Sequence, residues 1–294
     1  MYKEIICSEA CNKLKRKIPY SWDLNIYRGC KHGCKYCYAI YSHQYLEAEE
    51  YFDDIYIKTN IVEQLERQLN SPSWKREIVN IGGITDSYQP VEKVYKLMPD
   101  ILRLMIKYKT PCIISTKSDL ILRDYDLIDE LSRITYVNVA ATITCINENI
   151  RKKIEPNAVP TIDRFKMLKE FNKTNASTGL HFMPIIPYIT DGFENVDLIY
   201  NQAAHCKVDY VLPGVLYLRG KTRKVFFDFI RQEYPNLYEP LQTLYKKGGA
   251  GKEYKDELYA MVNQIKEKYN LSSSYSKPLK EKLRNYTNEQ LTLF

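Results

Sequence analysis

The sequence predicts an α/β protein: an open, partial (β/α)6 barrel of the TIM type followed by a helical C-terminal extension. Short apolar runs alternate with longer amphipathic runs of helical period between Leu24 and Pro213, a pattern typical of parallel strands joined by crossover helices. About six such units can be counted, which is too few for a closed eight-fold barrel. A chain of 294 residues is long enough to bury the core that this fold requires.

The predicted elements alternate along the chain. Strands are predicted at 24–27, 78–83, 112–115, 136–143, 179–184 and 210–213, and helices at 61–69, 95–108, 125–131, 162–171 and 196–205. A further helical pattern covers 35–50, before the second strand. Because ligands of such sheets bind at the carboxyl ends of the strands, we expect the functional residues in the segments that follow them.

The pattern also divides the chain into three parts. Residues 1–215 form the predicted barrel, and residues 216–270 a charged helical extension with a break near 246–254. Residues 271–294 are predicted to be a flexible tail, because they are polar up to the apolar end QLTLF.

Composition narrows the classes of protein to consider. No apolar run approaches the ~18 residues that a membrane helix needs, and the first residues lack the apolar stretch of a signal peptide. We therefore expect no membrane partner and a cytoplasmic protein, in which eight reduced cysteines indicate metal binding or catalysis. A net charge of +7 is compatible with a polyanionic partner without requiring one.

The strongest chemical signal is the segment GCKHGCKYCY, which places Cys30, Cys34 and Cys37 within eight residues. A [4Fe–4S] cluster is normally held by four cysteines. Three cysteines would leave one iron open to an exchangeable ligand, as an open zinc position admits water or substrate. A Zn²⁺ ion held by the same cysteines with His32 or His43 is the alternative, and local spacing does not decide between the two.

With Tyr36 before the third cysteine, this motif resembles the signature of radical S-adenosylmethionine (SAM) enzymes. Five blocks, in order, resemble the spore photoproduct lyase-like branch, also called DNA-repair-photolyase-like proteins: NIYRGCKHGCKYCYA, GGITDSYQPVE, TKSDLILRD, IEPNAVPTIDR and MPIIPYITD. The resemblance implies a [4Fe–4S] cluster whose open iron chelates SAM. One electron, from a donor such as flavodoxin or ferredoxin, then cleaves SAM to a 5′-deoxyadenosyl radical that abstracts hydrogen from substrate.

The resemblance also implies which residues contact SAM. These are Gly82, Gly83 and Asp86 at the amino group, Lys117 at the carboxylate, Thr142 near the ribose, and Tyr36 and Tyr38 beside the adenine. Each has an ordinary structural alternative: a solvated lysine, a helix-capping aspartate, or tyrosines that only pack.

One departure from the lyase concerns the hydrogen donor. The lyase has a cysteine after its second strand, whereas residues 83–85 here contain none, so reversal of the spore thymine dimer does not follow from the resemblance. Cys145, which follows the fourth predicted strand, is the candidate donor. A half-buried thiol without catalytic function is the alternative, and we expect Cys7, Cys11, Cys112 and Cys206 to be inert.

Two features bear on partners. Basic groups at 151–164 (Arg151, Lys152, Lys153, Arg164) and 221–224 (Lys221, Arg223, Lys224) could contact nucleic-acid phosphates. The terminal QLTLF resembles peptides that dock on the bacterial sliding clamp, with Gln290, Leu291, Leu293 and Phe294 as anchors. The expected substrate is a nucleic-acid lesion or modified nucleotide; the alternatives are modification of a peptide or small molecule, and a non-catalytic iron–sulfur repair accessory.

Overall fold

The computed structural model describes residues 1–15, 18, 20–45, 50–279 and 281. Its strands are β1 (Tyr2–Ile5), β2 (Cys11–Lys13), β3 (Trp22–Leu24), β4 (Tyr27–Arg28), β5 (Ile55–Lys58), β6 (Val79–Ile81), β7 (Cys112–Thr116), β8 (Val137–Thr142), β9 (Ser177–Ile185) and β10 (Tyr210–Val215). Its α-helices are α1 (Ile61–Leu69), α2 (Glu92–Tyr95), α3 (Leu97–Lys107), α4 (Tyr125–Ile134), α5 (Glu148–Ile154), α6 (Thr161–Phe171), α7 (Phe193–His205), α8 (Gly220–Glu233), α9 (Tyr238–Leu244) and α10 (Lys252–Lys268). Turns of 3₁₀ helix cover Tyr38–Tyr45, Asp119–Asp124 and Pro235–Leu237.

The main sheet has seven strands in the order β10-β9-β8-β7-β6-β3-β2. All neighbours are parallel except β2 and β3, which are antiparallel. The six parallel strands follow one another in chain order, which confirms the predicted alternation. Among the described residues β10 and β2 do not pair, so the sheet stays open, and the carboxyl ends of its parallel strands meet at one edge.

The two faces of the sheet differ in character. Along β8, Val137 and Val139 belong to the large apolar core beneath the helices, because alternate side chains of a strand point to opposite faces. Asn138, Ala140 and Thr142 lie on the other face. That face therefore presents small and polar side chains toward the carboxyl ends of the strands.

A small second sheet, β1-β5-β4, was not predicted. The first predicted strand, 24–27, is in fact divided between the two sheets: β3 ends at Leu24 and β4 begins at Tyr27. Between them the Asn25 side chain accepts a hydrogen bond from the backbone N–H of Ile84 (2.9 Å), which ties this bend to the carboxyl end of β6.

The helices follow the prediction with three differences. The helix predicted at 95–108 is α3, which begins at Leu97 because the left-handed φ of 50° at Lys96 separates it from the short, unpredicted helix α2. The helix predicted over 35–50 is a 3₁₀ helix in its described part, Tyr38–Tyr45. Helix α5 was missed, although Asn147 caps it by accepting hydrogen bonds from the backbone N–H groups of Asn149 and Ile150.

The residues after the barrel are helical up to Lys268, and α10 begins inside the predicted break at 246–254. Residues of the predicted tail up to 279 lie against the sheet: the carbonyl of Ser272 accepts from Val211 N–H on β10 (2.8 Å), and Leu279 is buried with Ile113 and Tyr136. The terminal QLTLF lies outside the described residues. Within the described ranges, no helix combines the length and apolarity needed to cross a bilayer.

Candidate functional site: a cysteine loop at the carboxyl edge of the sheet

The three cysteines of the motif lie on one loop that follows β4. The loop begins at Gly29, whose φ of +80° is left-handed. A Cβ atom there would lie 2.5 Å from the Asp54 carbonyl oxygen, so only glycine fits this turn. Cys30 N–H then donates to the Tyr51 carbonyl (3.3 Å) and Cys37 N–H to the Cys34 carbonyl (3.1 Å), which closes the loop on itself and on the segment before β5.

The cysteine thiols are withdrawn from solvent. Cys30 and Cys34 are buried and Cys37 is half-buried. Burial raises the pKa of each thiol, to about 12 for Cys34. Backbone N–H groups oppose this effect by donating to sulfur: His32 donates to Cys30, and Ala39 donates to Cys37. Such N–H···S bonds stabilise sulfur that carries negative charge, as it does when bound to iron.

This arrangement fits a multi-iron cluster better than a single ion. A tetrahedral Zn²⁺ with bonds of about 2.3 Å needs its ligands to converge on one point. In the described part of the chain, no three His, Cys, Asp or Glu side chains gather around one point in this way. In a [4Fe–4S] cluster each cysteine binds a different iron, so three thiols spread along one loop fit it.

His32, two residues after the first cysteine, has a carboxylate partner in the segment that follows β6. His32 Nε2 lies 2.9 Å from Asp86 Oδ2, and its Nδ1 faces the Asn157 carbonyl at 3.4 Å. Asp86 also accepts from the Thr116 hydroxyl (2.8 Å) and Lys117 N–H (2.8 Å). Both ring nitrogens of His32 are thus engaged, and the buried carboxylate joins the cysteine loop to the end of β7.

These contacts set the ionisation of Asp86. Burial alone would raise the pKa of this carboxyl, but the charge and hydrogen bond of His32 and the N–H groups of Lys117 and Tyr88 outweigh burial and lower it to about 2. Asp86 is therefore charged and already bonded inside the protein. Its predicted contact with the SAM amino group is untested by the geometry and stays a prediction.

A second buried carboxylate, Glu155, lies on the other side of the loop. It forms an ion pair with Arg164 (2.6 Å), and both side chains are fully buried. The hydroxyl groups of Tyr36 and Thr144 donate to its other oxygen. Tyr36 is thereby fixed between the second and third cysteines, and its predicted place beside the adenine stays a prediction.

This network corrects part of the predicted basic surface. Arg164 is fully buried and also donates to the Thr142 carbonyl (2.8 Å). Arg151 is 4% exposed and donates to the carbonyls of Glu155 and Ala158. Neither guanidinium can reach a nucleic-acid phosphate, because both are used to hold the segment behind the cysteine loop. Lys152 and Lys153 remain exposed.

Among the residues that the structure describes, no carboxylate forms an ion pair with Lys117. It is half-buried at the end of β7, and its Nζ lies 5.9 Å from the centre of the Tyr36 ring. Burial lowers its pKa, but Cys34, Glu155 and Asp86 together raise it, so the ammonium is charged. No described carboxylate lies within 4.0 Å of it, which leaves Lys117 free to pair with an incoming carboxylate, as predicted for SAM.

The remaining predicted contacts surround the same edge. Gly82 has a φ of +89°, and a Cβ at Gly83 would lie 2.9 Å from the carboxylate oxygens of Asp23. The Tyr38 ring is 64% exposed, and its hydroxyl donates to the Gly83 carbonyl. Thr142 ends β8 on the face away from the helices. The structure thus brings the predicted SAM residues to one edge; their contacts with SAM stay predictions.

Cys145 is less accessible than the prediction assumed. Its side chain is 1% exposed, inside an apolar cluster with Ile154 and Leu216. Burial raises the pKa of this thiol to about 12, so it keeps its hydrogen, but Sγ contacts the Asn147 carbonyl (3.6 Å) and no solvent. Its role as hydrogen donor stays a prediction, and that role requires the surrounding apolar side chains to move apart.

Sequence reasoning missed three residues that hold the loop. Glu155 lay in one of the recognised blocks but carried no sign of its partner. The Gln89 side chain accepts from Lys31 N–H (2.9 Å) and donates to the Gly29 carbonyl (3.0 Å). Thr222, on α8, donates to the Cys37 carbonyl (2.9 Å). No local pattern indicates these contacts, because each one joins residues far apart in the chain.

Comparisons with known proteins agree with this geometry. A family model described as the radical SAM superfamily matches residues 24–197. An uncharacterized protein of Mycobacterium tuberculosis is 30% identical over 299 residues, which cover 100% of this chain and 88% of that protein. One of Methanocaldococcus jannaschii is 29% identical over 253 residues, covering 86% and 89%.

Among solved structures, the chain is similar to spore photoproduct lyase with bound AdoMet and dinucleoside spore photoproduct. The TM-score is 0.67 at 12% identity, covering 91% of this chain and 79% of the lyase. Identity this low supports the fold alone. The family model spans more than half of the chain and includes the cysteine loop. This chain therefore belongs to the radical SAM superfamily, whose members use a [4Fe–4S] cluster and S-adenosylmethionine.

Proposed function

We propose that this protein cleaves SAM reductively and uses the resulting radical to abstract hydrogen from a nucleic-acid lesion or modified nucleotide. One observation supports cleavage most strongly: three cysteines, two buried and one half-buried, lie on one loop, and backbone N–H groups donate to the sulfurs of Cys30 and Cys37. When bound, the cluster supplies the electron that cleaves SAM, and a cluster held by three cysteines has one iron open to it.

The chain's own residues would position SAM at this edge. Lys117 offers a charged, unpaired ammonium for the SAM carboxylate. Asp86 fixes Lys117 by accepting its backbone N–H and at the same time holds His32. The Tyr38 hydroxyl ties the cysteine loop to Gly83, which lies at the carboxyl end of β6. This bracing would hold the cysteine loop and the β6 and β7 ends in one geometry during the reaction.

The nucleic-acid substrate rests on weaker support. The solved lyase of similar fold binds a dinucleoside lesion, and the face of the sheet away from the helices is lined by small and polar groups such as Asn138 and Thr142. Modification of a peptide or small molecule is the alternative, because one fold serves many substrates.

Cofactor cleavage tests the first part of the proposal. Anaerobically reconstituted protein with dithionite and SAM is expected to form 5′-deoxyadenosine, measured by chromatography. Cys34→Ala should lower the rate at least a hundred-fold and lower the bound iron. The matched control is Cys206→Ala, which removes a buried thiol bonded to the Phe165 carbonyl (3.4 Å), outside the loop. Equal rates of 5′-deoxyadenosine formation in both variants, or a purified protein that holds one zinc ion, would refute reductive SAM cleavage. A non-catalytic accessory protein would then be the remaining function.

Substrate stimulation tests the second part. Ultraviolet-irradiated DNA is expected to accelerate 5′-deoxyadenosine formation by the wild-type protein, compared with unirradiated DNA of the same sequence. In a coupled assay, Cys145→Ala should consume SAM without repaired product if Cys145 returns the hydrogen. Stimulation by a peptide mixture and none by DNA would move the substrate to the alternative class.

A docking partner is proposed on sequence grounds. We propose that QLTLF binds a sliding clamp, since the anchors Leu291, Leu293 and Phe294 end a polar segment. Removing residues 290–294 should abolish capture on clamp-loaded beads and leave 5′-deoxyadenosine formation unchanged. Undiminished capture of the shortened chain would rule the interaction out.

A further inference from the structure

A small polar cavity lies beside the second sheet, apart from the residues assigned above. It has a volume of about 220 Å³. Its lining includes Cys7, Ser8, Asn12, Arg28 and Lys58. Lys58 ends β5, and Arg28 ends the neighbouring strand β4, so two cations of adjacent strands line one cavity.

Lys58 has surroundings that are unusual for a charged side chain. It is 6% exposed, yet its ammonium makes no hydrogen bond or ion pair with any residue that the structure describes. Burial lowers its pKa, Arg28 lowers it further, and the Cys7 and Cys11 thiols oppose them. No carboxylate contributes to this balance. A buried ammonium beside a second cation and without a counter-charge is costly.

The other cation of the cavity has no counter-charge either. Within the described ranges, the Arg28 guanidinium has neither a hydrogen-bond acceptor nor a carboxylate at salt-bridge distance. Glu9 also lines the cavity, but it is exposed and pairs with neither cation. Arg28 and Lys58 therefore place two positive charges beside the cavity, against one exposed carboxylate on its lining.

The wall of the cavity is held in place by α1. Asn60 accepts from Cys7 N–H (2.9 Å) and Cys7 Sγ (3.3 Å) and donates to the Cys7 carbonyl (2.9 Å). Arg67 donates to the Ser8 carbonyl (3.1 Å), and Gln68 accepts from Ala10 N–H (2.9 Å). These hydrogen bonds hold the backbone of the loop that carries Ser8 in place beside the two cations.

We propose that this cavity binds a single phosphate group, held by Lys58 and Arg28 with Ser8 and Asn12 as additional hydrogen-bond donors. Two cations and neutral donors, with Glu9 as the one carboxylate on the lining, match a tetrahedral oxyanion. The small volume of about 220 Å³ favours one phosphate group over a strand tracked along a groove. The occupant is free phosphate or a phosphate group of a nucleotide, and the site does not depend on SAM cleavage.

Stabilisation by phosphate tests the site. The melting temperature of the full-length, cluster-loaded protein is measured in sodium phosphate and in sodium chloride at equal ionic strength. At ten times its Kd, phosphate should raise the Tm by about 3 °C. Lys58→Met keeps the aliphatic stem but removes the charge, and should abolish the rise. The matched control Lys166→Met, whose wild-type lysine is exposed and pairs with Asp163 elsewhere (2.9 Å), should retain it.

Two further measurements complete the test. Phosphorus NMR should show broadening of the inorganic phosphate signal by the wild-type protein and none by Lys58→Met or by Arg28→Gln, which replaces the other cation. A short 5′-phosphorylated deoxynucleotide that restores the sharp signal identifies a nucleotide phosphate as occupant; no competition identifies free phosphate. The proposal is overturned if phosphate leaves the wild-type Tm unchanged, or raises the wild-type and Lys58→Met proteins equally.

Discussion

Two buried cations of this protein have opposite surroundings. Arg164, behind the cysteine loop, pairs with Glu155 and also donates to the Val159 and Thr142 carbonyls. Lys58, at the end of β5 in the small sheet, has no hydrogen-bond or ion-pair partner among the residues described. The difference indicates that the first charge is neutralised within the protein, whereas the second is available to the phosphate group proposed above. Burial alone therefore does not distinguish a charged residue with a structural role from one that binds a ligand. The partners of the charged group make that distinction.

Breaking the ion pair between Glu155 and Arg164 is expected to have the largest effect on the unfolding free energy. Glu155→Gln leaves the guanidinium of Arg164 fully buried without a counter-charge, which typically costs about 3–5 kcal/mol of unfolding free energy. Urea unfolding of the full-length protein measures it. The control Glu66→Gln removes an exposed partner of Lys107 (2.6 Å) and should cost less than about 1 kcal/mol. Equal losses of unfolding free energy in the two variants would mean that the buried Glu155 stabilises the fold no more than the exposed Glu66.

The ionisation of Asp86 is expected to have an effect of intermediate size, seen as a dependence of the unfolding free energy on pH. Because its folded pKa of about 2 lies below its ordinary value of 3.8, its charge stabilises the fold above about pH 4. That contribution, about 2 kcal/mol, is lost as the pH falls from 4 through 2. The difference in unfolding free energy between wild type and Asp86→Asn should shrink over this range. A constant difference would contradict the role given to His32 and the N–H donors.

The smallest effect, of opposite sign, is expected at the other cation. Without phosphate, Lys58→Met removes a buried charge that has no partner and retains its aliphatic stem. We expect a gain of about 1 kcal/mol in unfolding free energy in chloride buffer. A loss of similar size would mean that the ammonium already has a stabilising partner, and the contrast with Arg164 would disappear.

The order of the main strands could be predicted, because short runs rich in apolar residues, such as those of β7 and β8, alternate with amphipathic runs of helical period. The three-cysteine motif was also recognisable, because its cysteines are close in the chain. The partition of 24–27 into β3 and β4 could not be predicted, since Leu24 and Tyr27 look like one strand until the Asn25 contact with Ile84 is known.

Long-range charge pairs could not be predicted from the sequence for a different reason. Arg164 looked like part of a basic surface, because a guanidinium is usually exposed, and nothing local shows that Glu155 lies 2.6 Å away. His32 was a possible ligand in the zinc alternative, because its carboxylate partner is 54 residues distant and gave no local signal. Lys58 carried no signal at all, since one lysine at the end of a strand is ordinary until its burial is known.

The contact between Ser272 and Val211 has a practical consequence for shortened forms of the protein. Strand β10 ends the sheet, and the backbone of a terminal strand can recruit a strand from another molecule. The segment after α10 shields this edge by accepting the Val211 N–H. A chain cut before Ser272 should therefore self-associate, whereas one cut just before Gln290 should keep its solubility, so trimmed versions for crystallisation are best ended beyond Leu279.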